Sequence, residues 1–280
     1  MAVFLGLAVA ASYGAADFCG GLASKRAAPW SVVLGAQYVG FVGIGLLLVI
    51  DGTPRPPAGD LMLGAVASCI GVLGVGLLYF GLARGPMGVV APITAVGSAI
   101  VPFAWGQLRG ERPGVAALVG VAVALLAVVL ISHTPGGEDA PTRPARTTLL
   151  AAVASGCAFG AFFVVLSHTG ADSGFWPIFS GRLASTTAVL LALAALARPL
   201  LPRGAGVGTV VLAGIFDVAA NALFLLATRE GLLSLVSVLA SLYPATTVIL
   251  ARGVLDERLQ RRQLLGLGAA LTGVVLITGG

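Results

Sequence analysis

Long apolar segments, separated by short clusters of proline, glycine and charge, set the pattern of this chain. Cutting at those clusters leaves ten segments, at 2–23, 29–50, 60–83, 86–108, 113–132, 148–168, 175–197, 205–227, 231–254 and 263–280. Each is about the 20 residues that an α-helix needs to cross a hydrocarbon core of ~30 Å. Apolar residues run on without alternating with polar ones, which predicts spanning helices and not the strands of a barrel. The longest polar junction, HTPGGEDAPTRPAR at 133–146, reads as a linker. The first segment carries small residues at signal-cleavage spacing (AVAASYGAA), but it has no basic stretch before it and reads as a structural helix.

Composition turns this pattern into a class. Of 280 residues, 58% are hydrophobic and only 10% charged, against about a quarter charged in a soluble domain. Water-soluble core, disorder, collagen and coiled coil are all excluded, leaving an all-α integral membrane protein with the lipid bilayer as its first partner. Cys19, Cys69 and Cys157 lie inside apolar runs and read as packing residues, with neither disulfide nor zinc spacing. The 16 Lys and Arg against 11 Asp and Glu fall mostly between segments, so they report topology and imply no nucleic-acid partner.

The chain also matches itself at one offset, 146 residues. LVGVAVALLAVVLIS from Leu118 falls on LLGLGAALTGVVLIT from Leu264 with eight of fifteen positions identical. The same offset places Tyr13-Gly14-Ala15 on Phe159-Gly160-Ala161, Trp30 on Trp176, Gly85 on Gly231 and Glu111-Arg112 on Glu257-Arg258. Charged, aromatic and glycine landmarks held by one ungapped offset indicate duplication. The predicted organisation is a first five-helix repeat at 1–134, a polar linker at 135–146 and a second repeat at 147–280. Five is odd, so the second repeat crosses the membrane in the opposite sense, giving ten transmembrane helices built from two inverted five-helix repeats.

Two such repeats, the ARGP turn at 83–86 with its TREG counterpart at 228–231, and the GER and DER triplets at 110–112 and 256–258 resemble EamA-type members of the drug/metabolite transporter superfamily. The resemblance covers the chain outside the linker. It implies a carrier of small metabolites, amino acids or drugs, with a central cavity between the halves and the fifth and tenth helices packed peripherally. These motifs are structural and choose no substrate.

Ionisable residues buried in hydrocarbon are costly, which makes Asp17, Arg182 and Asp217 functional candidates. At about 1.5 Å of rise per residue, Asp17 sits roughly 22 Å from the face carrying the N-terminus, Asp217 roughly 15 Å and Arg182 roughly 9 Å. Arg182 and Asp217 are closest in depth and stand on consecutive helices, which predicts an ion pair, either a structural tie or a substrate contact. Asp17 is then the uncompensated charge. Facing a cavity it is positioned to exchange a proton and couple transport; near a helix end it instead reaches water, Lys25 or Arg26. Asn221, one turn after Asp217, shares its face. Gln37, Tyr38, Tyr79 and Tyr243 can bond either a ligand or a neighbouring helix. The substrate-binding set is therefore Arg182, Asp217, Asn221, Gln37, Tyr79 and Tyr243. Ser234, Ser237 and Ser241, whose matching positions in the first repeat are Gly88, Ala91 and Ala95, read as close packing, and Trp30 and Trp176 as interfacial anchors. Pro92, Pro102 and Pro244 remove backbone donors and are expected to kink or break their helices, as static bends or as gate hinges, with Tyr243-Pro244 the preferred gate.

A membrane enzyme is the main rival. No His-Glu-x-x-His, Walker or Asp-rich metal motif is present, and no Ser, His and Asp recur suggestively, so no catalysis, cofactor or metal is expected. The expected function is a secondary transporter for a small neutral, zwitterionic or amphipathic metabolite, with protons as a further partner through Asp17. Channel-like facilitator and non-transporting assembly subunit are the alternatives, and the oligomeric state stays open. Fifteen Arg to one Lys suggests a bacterial gene and hence the cytoplasmic membrane. Eleven basic residues lie in the odd-numbered connections against four on the side of the termini, which places the termini outside the cytoplasm; the family resemblance implies cytoplasmic termini.

Overall fold

Apolar runs free of internal breakers fold as long helices, because in hydrocarbon only a helix satisfies its own backbone. A computed structural model describes residues 1–24, 26–82, 87–131, 146–203, 206–255 and 260–279. Among the described residues there are eleven α-helices and no strand. They are α1 (Ala2–Ser24), α2 (Pro29–Asp51), α3 (Ala58–Leu82), α4 (Met87–Leu108), α5 (Val115–Ile131), α6 (Arg146–Ser167), α7 (Trp176–Ala195), α8 (Val207–Glu230), α9 (Leu233–Ala240), α10 (Tyr243–Leu255) and α11 (Arg261–Gly279). Six of them (α1, α2, α3, α6, α7 and α8) are long and apolar enough to cross a membrane by length and composition. Nine predicted segments match one helix each within a few residues. The ARGP turn, the DER triplet, Ser132 and linker residues 133–145 lie outside the described residues, and Arg146, assigned to the linker, opens α6.

The ninth segment, predicted as one helix over 231–254, is two. It breaks at Ser241-Leu242, where the amides of Leu242 and Ala245 bond carbonyls three residues back, at Leu239 (3.1 Å) and Leu242 (2.9 Å). Pro244 explains the break, since it has no N–H to offer the carbonyl of Ala240. Of the kink or break expected at Pro92 and Pro102, no break occurs: α4 runs continuously through both. At Pro102 the helix packs closely on α6 at Gly160, where a Cβ would lie 3.1 Å from the proline ring and 2.5 Å from Val101. The side chain of Pro92 lies outside the described residues.

The helices fall into pairs that exchange when the halves are exchanged. The contact of α1 with α8 has its counterpart in α6 with α3; that of α2 with α8, in α7 with α3; that of α4 with α6, in α9 and α10 with α1. The contacts α2–α7, α4–α9 and α5–α11 map onto themselves. At the last of these, a Cβ on Gly120 would lie 2.9 Å from the backbone nitrogen of Ile277, and one on Gly266 2.8 Å from that of Ile131. These are the same contact twice, since both pairs differ by 146. Small residues let such helices touch backbone to backbone.

One end of the bundle gathers the start of α1 and the connections α2–α3, α4–α5, α6–α7 and α8–α9. The Glu111 carboxylate accepts from the backbone N–H groups of Leu233 and Ser234, 3.0 Å each. Asp60 accepts from the amide of Gly170 and the hydroxyl of Ser173. Arg229 donates to the carbonyls of Gly170 and Gly174, 3.1 Å each. Trp176, read as an interfacial anchor, also donates its indole N–H to the carbonyl of Thr53 at 2.9 Å. We call this the terminal end and its opposite, where the Ser31 hydroxyl meets the carbonyl of Pro199, the linker end.

Candidate functional site

Between the halves lies a cavity of about 220 Å³, bounded by α1, α2, α3, α6, α7, α8, the break between α9 and α10, and Ser98 of α4. It is asymmetric along the bundle axis. Towards the linker end the lining reaches Gly20, Val32 and Leu78, each about one turn from its helix end. Towards the terminal end the lining stops at mid-helix residues on the other helices and comes within one turn of a helix end only at Phe163 of α6.

Its polar side is one hydrogen-bonded chain through four helices. Ser185 Oγ accepts from Gln37 Nε2 at 3.0 Å, and Gln37 Oε1 in turn accepts from Arg182 Nη1. Arg182 Nη2 donates to Asp217 Oδ2, the ion pair that their depths predict. Asn221 Nδ2 donates to the carbonyl of Asp217 at 2.7 Å, one turn back, and Asn221 Oδ1 accepts from the Tyr13 hydroxyl at 3.1 Å. The pair is unevenly buried: the Arg182 side chain is 8% exposed and that of Asp217 33%. The guanidinium is thus held behind, beside Gly40 of α2, and the carboxylate is the part presented to the cavity.

Asp17 lines the same cavity, is exposed into it, and has neither an ion pair nor a hydrogen bond among the described residues. Arg26 does not meet it, and Lys25 lies outside the described residues. Tyr243, the first residue of α10, also faces the cavity, as does Ser241 at the break; Ser237 and Ser241 spend their hydroxyls on carbonyls of their own helix. The structure therefore brings together Asp17, Gln37, Arg182, Asp217, Asn221 and Tyr243. Pro244 stands beside them, while Pro102 packs on Gly160; the side chain of Tyr79 is outside the described residues. Among the described residues no cluster of His, Cys, Asp or Glu is arranged to hold a metal ion.

Sequence reasoning missed Tyr13, Ser185 and the aromatic wall of Phe159, Phe162 and Phe163. Two signals pointed there: Tyr13 is one turn before Asp17, and Tyr13 and Phe159 are repeat landmarks. The offset of 146 pairs Tyr13 with Phe159, Ala16 with Phe162, Asp17 with Phe163, Ala36 with Arg182, Gly71 with Asp217 and Val75 with Asn221, and all twelve line the cavity. The halves thus supply equivalent positions but different chemistry.

Comparison with known proteins agrees with this architecture. A crystal structure described only as that of a protein superposes with a TM-score of 0.78 at 15% sequence identity, covering 99% of this chain and 96% of that one. This shows a shared fold. No curated protein matches the chain in sequence. The model of the EamA-like transporter family matches residues 1–133 and again 146–279, so the chain belongs to that family of multi-pass membrane transporters of small substrates.

Proposed function

We propose that the chain is a secondary carrier that moves a small neutral, zwitterionic or amphipathic metabolite across the cytoplasmic membrane by alternating access. In this reading the helices make ten crossings, as two inverted five-helix repeats, with α9 and α10 forming one crossing. The observation that carries it is the cavity at the pseudo-two-fold centre, walled by both halves and lined close to the helix ends on three helices at the linker end against one at the terminal end. Contacts that exchange under the repeat operation support two conformations of similar energy, the second reached by opening the terminal end and closing the linker end.

Arg182, Asp217, Asn221, Gln37, Tyr79 and Tyr243 are the substrate-binding residues of this proposal, and the break ahead of Pro244 is its hinge. Asp17 is the proton-coupling residue, supported by its unpartnered carboxyl in the cavity. The test is counter-transport in proteoliposomes. Saturable uptake accelerated by unlabelled solute on the far side is expected; flux without that acceleration marks a channel, and no flux for any solute marks an assembly subunit. An Asp17→Asn variant whose uptake keeps the wild-type pH dependence removes Asp17 from coupling.

A further inference from the structure

The charge balance of the cavity narrows its ligand, resting on the carrier reading of the same site. Among the described residues, three formally charged side chains line it: Asp17, Asp217 and Arg182. Arg182 has both terminal nitrogens committed, one to Gln37 and one to Asp217, and is almost fully covered. What an incoming solute meets is one free carboxylate at Asp17 and the open side of another at Asp217. Aromatic rings share the lining: Phe159, Phe162 and Phe163, with Phe163 centred 6.2 Å from the ring of Tyr13, which stands one turn before Asp17.

We propose that the site selects organic monocations: an ammonium group carried by a small apolar, preferably aromatic body. An uncompensated carboxylate in a low-dielectric pocket favours a positive partner, and ring faces attract a cation and bury an apolar body. A zwitterion is disfavoured. Its carboxylate would have to displace Asp217 from Arg182 and would otherwise lie against two like charges. A small inorganic cation is disfavoured too, because stripping its water requires several oxygen ligands where this cavity offers a mostly carbon wall.

The test titrates the purified full-length chain with three probes of similar size: benzyltrimethylammonium, neutral N,N-dimethylbenzamide and zwitterionic phenylalanine. The cation is expected to bind at least roughly tenfold tighter than either other probe. Asp17→Asn should remove that preference while the unliganded melting temperature holds, and Asp17→Glu should keep it. The proposal is overturned if the amide or phenylalanine binds as well as the cation, if the cation does not bind, or if Asp17→Asn binds it like wild type. Should Asp17→Asn fail to fold, the ranking of probes on the wild-type chain decides alone. Counterflow in proteoliposomes separates this claim from carriage. Exchange of phenylalanine or the amide without the cation keeps the carrier and overturns the cation; cation binding without counterflow of any probe overturns the carrier and keeps the site.

Discussion

Arg182 has an amide on one side and a carboxylate on the other, and its neighbours make the arrangement costly to undo from one end only. Arg182→Gln leaves Asp217 facing a low-dielectric wall without its cation, and the loss is expected at about 2 kcal/mol, below the value for fully buried pairs because Asp217 is partly open to the cavity. The double variant Arg182→Gln with Asp217→Asn should recover more than half of that loss, read as melting temperature in detergent. Equal melting of single and double variants would mean the pair contributes no net tie. The pair was legible in the sequence because ionisable residues in hydrocarbon are rare enough for depth alone to match them. Ser185, Phe162 and Phe163 were not, and Tyr13 and Phe159 were marked only as repeat landmarks, since hydroxyls and rings are common in such helices and the packing of α1, α6 and α7 tells which ones face the cavity.

At the scale of elements, α9 is an eight-residue helix with no side-chain cap of its own at Leu232. Glu111, from the α4–α5 connection, supplies it by accepting from the first two amides, where a negative group also suits the helix dipole. Glu111→Ala should cost about 1 kcal/mol and speed hydrogen exchange at Leu233 and Ser234 selectively. Gly106→Ala should reproduce that pattern, since a Cβ there would lie 2.7 Å from the carboxyl carbon of Glu111. Uniform exchange across α9 in both variants would remove the cap as the cause. Helix lengths could be read from breakers, yet Pro102 and Pro244 look alike in the sequence. What separates them is visible only in the fold: α4 continues through Pro102, which packs on Gly160, while the chain before Pro244 turns at Ser241-Leu242 beside the cavity. If that turn is the hinge, Pro244→Ala should lower the maximal transport rate by roughly tenfold and leave half-saturation nearly unchanged.

The duplication was readable over the whole molecule because landmark residues keep one spacing, and the structure adds which contacts the two copies share. Gly120 and Gly266 make one backbone contact twice, so Gly120→Val and Gly266→Val should destabilise the α5–α11 pair to a similar degree, within about 1 kcal/mol of each other. Orientation is the remaining property of the whole chain, and it depends on a balance of charges outside the helices. In the ten-segment reading of the sequence, eleven basic residues fall at the odd-numbered connections and four at the even-numbered ones, a bias that favours a cytoplasmic linker end. The cavity reaches towards that same end. The charge bias and the cavity's reach both favour an inward-facing molecule, with the polar ties of Glu111, Asp60 and Arg229 on the outer side, whereas the family resemblance implies cytoplasmic termini; reporter fusions decide between the two. A phosphatase fused after Gly280 should therefore be active, and a fluorescent protein fused there dark, since the former requires an oxidising exterior. A cysteine-reactive, membrane-impermeant reagent added to intact cells should leave a cysteine at Val33 unlabelled, and label it in inverted vesicles. The opposite pattern in both assays would turn the molecule over, making the same cavity face outward.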